Sequence, residues 1–297
     1  MTTTALHPQV TGLLKRPRGR TWIGWLLTGL AALCTGLTLM PLLAVLGFVL
    51  VRGMGRVHLA LLTQLPPPPG SSGGGLGNAL MGTVIVVSLG TVMAVPLGVL
   101  TAVYLSEFSH TPGQQAIARW VRLSINGLAG VPAILVGVFV YGLLVATGIF
   151  GYSAVAAGVA VAVLMLPIMV RTTEEALKRV PQELRWASVG LGASHYDTVV
   201  RVVLPAALPS VVTGVMLAMA RAAGDTAALL FTALFSNFWP QGLFEPIATL
   251  SVLVYNFAAV PFQPQQELAW AAAFFLVILL LIASVVARLV MHRLPLR

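Results

Sequence analysis

Charge is scarce in this chain. Of 297 residues only 8% are Asp, Glu, Lys or Arg, against 58% hydrophobic, and the mean hydropathy is +0.94. A water-soluble core cannot hide that much apolar surface, so a soluble globular protein is excluded and an integral membrane protein remains. Cysteine is nearly absent. Cys34 stands alone in an apolar run, which rules out an intrachain disulfide framework. Lysine is as rare: a nucleotide-hydrolysing P-loop requires Gly-x-x-x-x-Gly-Lys-Ser/Thr, and Lys15 and Lys178 each follow a leucine, so this chain encodes no such loop. His7, His58, His110, His195 and His292 are scattered over separate segments with no metal-ligand spacing, and nothing assembles a Ser/His/Asp set. His195 reads as a polar first-turn residue.

Long apolar runs are what the chain does contain. Six reach or approach the ~20 residues needed to cross a bilayer, at 22–51, 77–104, 120–150, 152–170, 206–235 and 268–291. The first is too long for a signal-peptide core and lacks a small-residue cleavage site, so it is expected to stay as a span. The formal charge of +9 does not point to nucleic acid, because the basic residues cluster at the ends of the runs. With the N-terminus inside, Lys15, Arg16, Arg18, Arg20, Arg119, Arg122, Arg171, Lys178, Arg179, Arg185, Arg201, Arg288, Arg293 and Arg297 are cytoplasmic, against Arg52 and Arg56 outside. The expected layout is a cytoplasmic tail (1–21), a first span (22–51), an external loop (52–76), one membrane domain (77–291) and a cytoplasmic tail (292–297).

The external loop joins Pro66-Pro67-Pro68-Pro69 to GSSGGGLG, a stiff piece followed by a flexible one, and reads as a linker. Pro96, Pro132 and Pro167 sit in or at the ends of spans and predict kinks that neighbouring helices can compensate. The run 126–139, NGLAGVPAILVGVF, mixes small residues and proline and predicts close helix packing. Arg221 is the one basic residue placed within a span, with Asp225 one helical turn on, so the two can pair on one face. Such residues either brace the bundle or line a substrate path, and Arg171, at the inner end of the fourth span, can join them or snorkel to the surface.

The longest strongly polar passage, 175–209, reads as helix, bend, helix, membrane. Pro181 suits a first helical position, ahead of Gln182 and Glu183, and Gly192 suits a C-terminal stop. Ser194-His195-Tyr196-Asp197 has capping-box spacing. Leu204-Pro205 is expected to end the second short helix, with Pro205 opening the next, apolar one. This layout resembles the coupling loop of ABC-importer membrane subunits, whose signature is Glu-Ala-Ala, three residues, Gly, nine residues, Ile, any residue, Leu-Pro. Trp186, Ala187, Ser188, Gly192, Val202, Leu204 and Pro205 fall in that register, with Trp186 where the family usually has glutamate. The resemblance makes the 174–204 loop the ATPase-coupling site.

Three further stretches, GVPAILVGVF (130–139), RTTEEALKRVP (171–181) and RAAGDTAALLFTA (221–233), resemble the PstA family of permease subunits of bacterial high-affinity phosphate importers; Asp225 stands where that family commonly has glutamate. The resemblance implies an all-α, six-span, type I importer (MetI-like) permease in the bacterial inner membrane with both termini cytoplasmic. It implies a PstC-type permease as heterodimer partner, two PstB-type ATPases carrying ATP and Mg, and an external PstS-type phosphate-binding protein, with membrane lipid around the chain and no nucleic acid. It also implies a phosphate path past Arg221, Asp225 and Arg171. Arginines alone do not separate phosphate from sulfate or molybdate. An ion-coupled secondary transporter, which would not need the 174–204 register, is the alternative from another class.

Overall fold

Apolar runs of these lengths can satisfy their backbone in lipid only as helices or closed barrels. The computed structural model describes the backbone of residues 18–293 and the side chains of 22–289, and its regular elements there are all helical. The side chains of both expected tails, Lys15, Arg16, Arg18, Arg20, Arg293 and Arg297 among them, lie outside the described residues.

The chain divides between residues 51 and 52 into two units. The first holds most of α1 (Arg18–Met54), whose large apolar side chains, from Trp22 and Trp25 to Leu43 and Val45, are exposed along its length. A helix apolar on every face and this long suits lipid rather than water.

The second unit contains α2 (Leu59–Thr63), α3 (Gly77–Glu107), α4 (Pro112–Gly130), α5 (Ala133–Val140), α6 (Ala154–Lys178), α7 (Gln182–Gly190), α8 (His195–Thr198), α9 (Leu204–Ala223), α10 (Ala227–Thr232), α11 (Leu250–Ala258) and α12 (Gln263–Arg293). Among the described residues five helices are long and apolar enough to cross a membrane, or six if one bent pair counts as a span.

That pair replaces the third span expected at 120–150, and its bend is far larger than the expected kink: α4 and the helix that begins with α5 meet at 104°. Pro132 is the cause. It has no N–H to continue the ladder and drives Val131 out of helical geometry, to φ −73° and ψ 127°. The small residues after it do pack closely, since a Cβ on Gly137 would lie 2.7 Å from the Ala228 Cα in α10.

The expected fifth span, 206–235, is shifted. α8, a π-turn over Val199–Val203 and α9 run continuously from His195 to Ala223, so Leu204-Pro205 does not break the helix. In the wide turn the Leu204 N–H reaches back to the Val199 oxygen, five residues earlier, and this locally loosened ladder tolerates the N–H that Pro205 lacks. The outer end comes sooner than expected because the chain turns at Gly224 and restarts as α10.

The segment expected to be an external linker, 52–76, is not a free one. Leu61 and Leu76 are fully buried beside Leu250, Leu253 and Leu268. Backbone bonds close the segment on itself, Leu76 N–H to Leu61 O at 2.8 Å and Gly75 N–H to Leu65 O at 2.9 Å, and the Gln265 side chain donates to Pro68 O at 3.0 Å. Arg56 pairs with Glu267 at 2.7 Å. Two further apolar clusters hold the unit together. One, with Val86, Met165, Met169 and Ala218, joins α3, α6 and α9 at mid-height; the other, with Leu105, Leu177, Val203 and Val211, joins them near the polar loop.

Candidate functional site

α6 and α9 pack antiparallel at a close approach, where a Cβ on Gly214 would collide with Thr172. That register sets the heights of two arginines. Arg171 precedes Thr172 on α6, and Arg221 follows Gly214 by seven residues on α9, so Arg221 lies about 9 Å deeper than Arg171, measured from the polar-loop end. Both face one cleft of about 160 Å³, walled by Leu128, Val131, Val136, Val163, Leu164 and Ile168, and Asp225 lines it as well. The three residues expected on the path are therefore brought together.

The expected ion pair between them is not made. α9 ends at Ala223, so Arg221 and Asp225 do not sit one turn apart on a common helix. Asp225 instead caps α10, its Oδ1 accepting from the Ala228 N–H at 3.1 Å, while its backbone oxygen accepts from Ser251 Oγ at 3.2 Å. No described carboxylate bridges Arg221 or Arg171. Arg171 donates from Nη2 to Asn126 Oδ1 on α4 at 2.8 Å, a neutral partner that orients the guanidinium without cancelling its charge. The α4–α5 bend also brings the N-terminus of α5 to the cleft wall, through Val131 and Ala133, and the first N–H groups of a helix lack intrahelical partners. Two cations, one carboxylate and a helix N-terminus on one cleft favour an anion.

The polar loop has the expected bend. Pro181 is the cap residue of α7 rather than its first residue. Gly192 lies at φ +88°, the left-handed region that favours glycine, and its N–H reaches Val189 O at 2.9 Å while the Ala193 N–H reaches Ser188 O at 3.2 Å, the two bonds of a Schellman stop. Ser194 caps α8, accepting from the Asp197 N–H at 3.1 Å, and donates to the Asp197 carboxylate at 2.6 Å, so the reciprocal half of the capping box is replaced by a hydroxyl–carboxylate bond. Ser188 and Thr198 hydroxyls meet at 3.0 Å and tie α7 to α8. Of the register residues Ala187 is exposed and Leu204 and Pro205 are half-buried. α7 buries none of its residues. Trp186 (66% exposed), Val189 and Leu191 (90%) stand outward with Tyr196.

Sequence reasoning missed Glu107 and Asn126. Glu107 is buried, 3% exposed, and paired with Arg185, while the His195 Nε2 donates to its backbone oxygen at 2.8 Å, so His195 is more than a first-turn residue. A signal for Glu107 was present: it is the first carboxylate in the chain, at the end of an apolar run. Asn126 carried no signal beyond its place in the small-residue run.

Residues 94–295 match the family described as binding-protein-dependent transport system inner membrane component. The chain is 38% identical to the phosphate transport system permease protein PstA of Haemophilus influenzae, over 89% of this chain and 92% of that protein. It is 37% identical to PstA of Yersinia pestis, over 84% and 83%. With PstA 1 of Mycobacterium tuberculosis it shares 36%, over 85% of this chain. Solved structures share its fold at lower identity: a chain of the bacterial alginate ABC transporter (13% identical, TM-score 0.64, covering 92% of this chain and 96% of that one) and one of the inward-facing MetNI methionine ABC transporter (22%, 0.56, covering 72% and 92%). The chain belongs to the family of binding-protein-dependent transport system inner membrane components, the multi-pass permease subunits of bacterial ABC transporters, and within it to the PstA permeases.

Proposed function

We propose that this chain forms half of the membrane path of an ATP-driven importer of inorganic phosphate, and that Arg221 and Arg171 are successive contacts for the anion. The observation that carries the reading is the cleft in which both arginines stand with no carboxylate bound to either. An oxyanion entering this cleft finds charge that no described carboxylate has neutralised, and an intramembrane cation of this kind marks a substrate path. Asp225 lines the same space and keeps the field from being purely attractive, which lets the anion leave. Phosphate, rather than sulfate or molybdate, is favoured by the PstA relatives.

The remaining parts follow from the same reading. Both termini and the 174–204 loop face the cytoplasm, in line with the distribution of Lys and Arg. A PstC-type permease completes the path, a PstS-type protein delivers phosphate from outside, and two PstB-type ATPases hold ATP and Mg. Trp186, Val189 and Leu191 form an exposed apolar face on α7 suited to a groove of the ATPase, where Trp186 replaces the polar contact of a glutamate. ATPase closure then displaces the loop, and rigid-body movement of α6 and α9 alternates access to the cleft. The test is uptake of labelled phosphate by the complex reconstituted with those partners, with unlabelled sulfate and molybdate as competitors. Phosphate uptake that only phosphate suppresses is expected; suppression by sulfate or molybdate at equal concentration would reassign the substrate.

A further inference from the structure

We infer that Glu107, at the end of α3, is the anchor through which the 174–204 loop moves the membrane helices, a positioning role that rests on the transport reading above. α7 buries no residue of its own, so it has little apolar hold on the bundle. Beyond the Ser188–Thr198 hydroxyl bond to α8, it is fastened to α3 and α6 by one side chain. Arg185 pairs through Nη1 with the Glu107 carboxylate and donates through Nη2 to Leu177 O at 2.9 Å, so a single guanidinium joins α7 to the last turns of both α3 and α6. From beyond the Gly192 bend His195 grips the same residue, its Nε2 donating to Glu107 O at 2.8 Å with its ring edge-on to Phe108 at 5.3 Å. Both arms of the bend therefore close on residue 107.

The placement of Glu107 is hard to explain by stability alone. A buried carboxylate at the C-terminal end of a helix opposes the helix dipole, and an apolar residue would fill the position without that cost. What the pair provides is a directional, poorly stretchable link. Ser106 Oγ donates to the other carboxylate oxygen at 2.9 Å and fixes its orientation. Leu177 lies six residues from Arg171 on α6, about 9 Å along the axis. Displacement of α7 is thus delivered to α3 and α6 together, and through α6 to the cleft.

The experiment reconstitutes the complex with its partner permease, ATPase and binding protein in phospholipid vesicles, and measures ATP hydrolysed and labelled phosphate taken up on the same vesicles. Uptake by the parental complex tests the transport reading by itself; the ratio between variants tests the anchor. Glu107→Gln keeps the size of the side chain and removes its charge. It is expected to assemble and to take up about tenfold less phosphate per ATP hydrolysed, within the range over which residues remote from both ligands modulate coupling. Glu107→Asp should recover part of the ratio. Arg185→Lys keeps the charge but cannot fork between the carboxylate and Leu177 O, and should fall between the two. A parental ratio in Glu107→Gln would overturn the proposal. So would failure of Glu107→Gln to co-purify with the ATPase, because the pair would then be an assembly contact.

Discussion

Arginine occurs in this chain in two settings. Near the polar loop it is neutralised: Arg122 bonds Glu174 at 3.0 Å, where Lys178 shares the same oxygen at 2.7 Å, and Arg185 bonds Glu107. In the cleft it is not: Arg171 has an amide partner and Arg221 has no bridging carboxylate among the described residues, although Asp225 lines the same space. Of the eight acidic residues, Glu107 and Glu174 fasten helices through arginine, whereas Asp225, which lines the cleft, bridges neither arginine there. Pairing makes a joint, whereas a cation without a carboxylate partner keeps its charge for an anion, which is the role proposed for Arg171 and Arg221.

The comparison fails first if the cleft arginines are only braces. Arg221→Gln, which keeps size and removes charge, should lower phosphate uptake roughly 100-fold, the upper worth of a charge-assisted hydrogen bond to the anion, while the complex still co-purifies. Uptake near the parental rate would erase the distinction between the two settings. Next comes the outward face of α7: Trp186→Asp should weaken ATPase binding by about 2 kcal/mol, roughly 30-fold in a pull-down titration, as loss of an aromatic anchor does. Gly192→Val should cost roughly 1–2 kcal/mol through the backbone alone, since a Cβ at Gly192 meets nothing within 4 Å and the strain lies in φ +88°. It is read as a smaller loss in the same titration, and an unchanged affinity would mean that the bend is not needed for docking.

Asp225→Asn has the smallest expected effect on the fold, because asparagine also accepts from the Ala228 N–H. Thermal unfolding should change by less than about 0.5 kcal/mol. Removing the negative charge beside Arg221 should lower the apparent KM for phosphate and slow its release. A large loss of stability with unchanged KM would make Asp225 a cap and nothing more.

The apolar runs, the charge bias at their ends and the spaced residues Gly192 and Ser194 made the membrane class, the approximate span positions and the helix–bend–helix of the loop legible in the sequence, because each is a local signal carried within about one helical turn. The bend at Pro132 was visible as a kink but not as a 104° turn, since its size depends on what α5 packs against. The helix through Leu204-Pro205 was misread because the π-turn that absorbs the proline leaves no mark on residue types. The supposed ion pair of Arg221 and Asp225 failed for a related reason: spacing of four residues implies a common face only while the helix lasts, and α9 ends between them. Glu107, 78 residues from Arg185 in the chain, and Asn126, 45 from Arg171, act through contacts that only the tertiary fold supplies.

The π-turn at Val199–Val203 has a mechanical consequence. Its looser ladder makes it the softest point of a helix that runs 29 residues from His195 to Ala223, and it sits far from the middle. The arm on the loop side, from His195 to Arg201, is roughly 9 Å long, and the arm to Arg221 is roughly 30 Å. A joint of that kind lets the two arms tilt separately: a rotation of the long arm by about 5° moves the guanidinium-bearing end by about 2.6 Å without carrying the loop arm with it. The packing around α8 can thereby stay in place while the Arg221 end of the helix shifts.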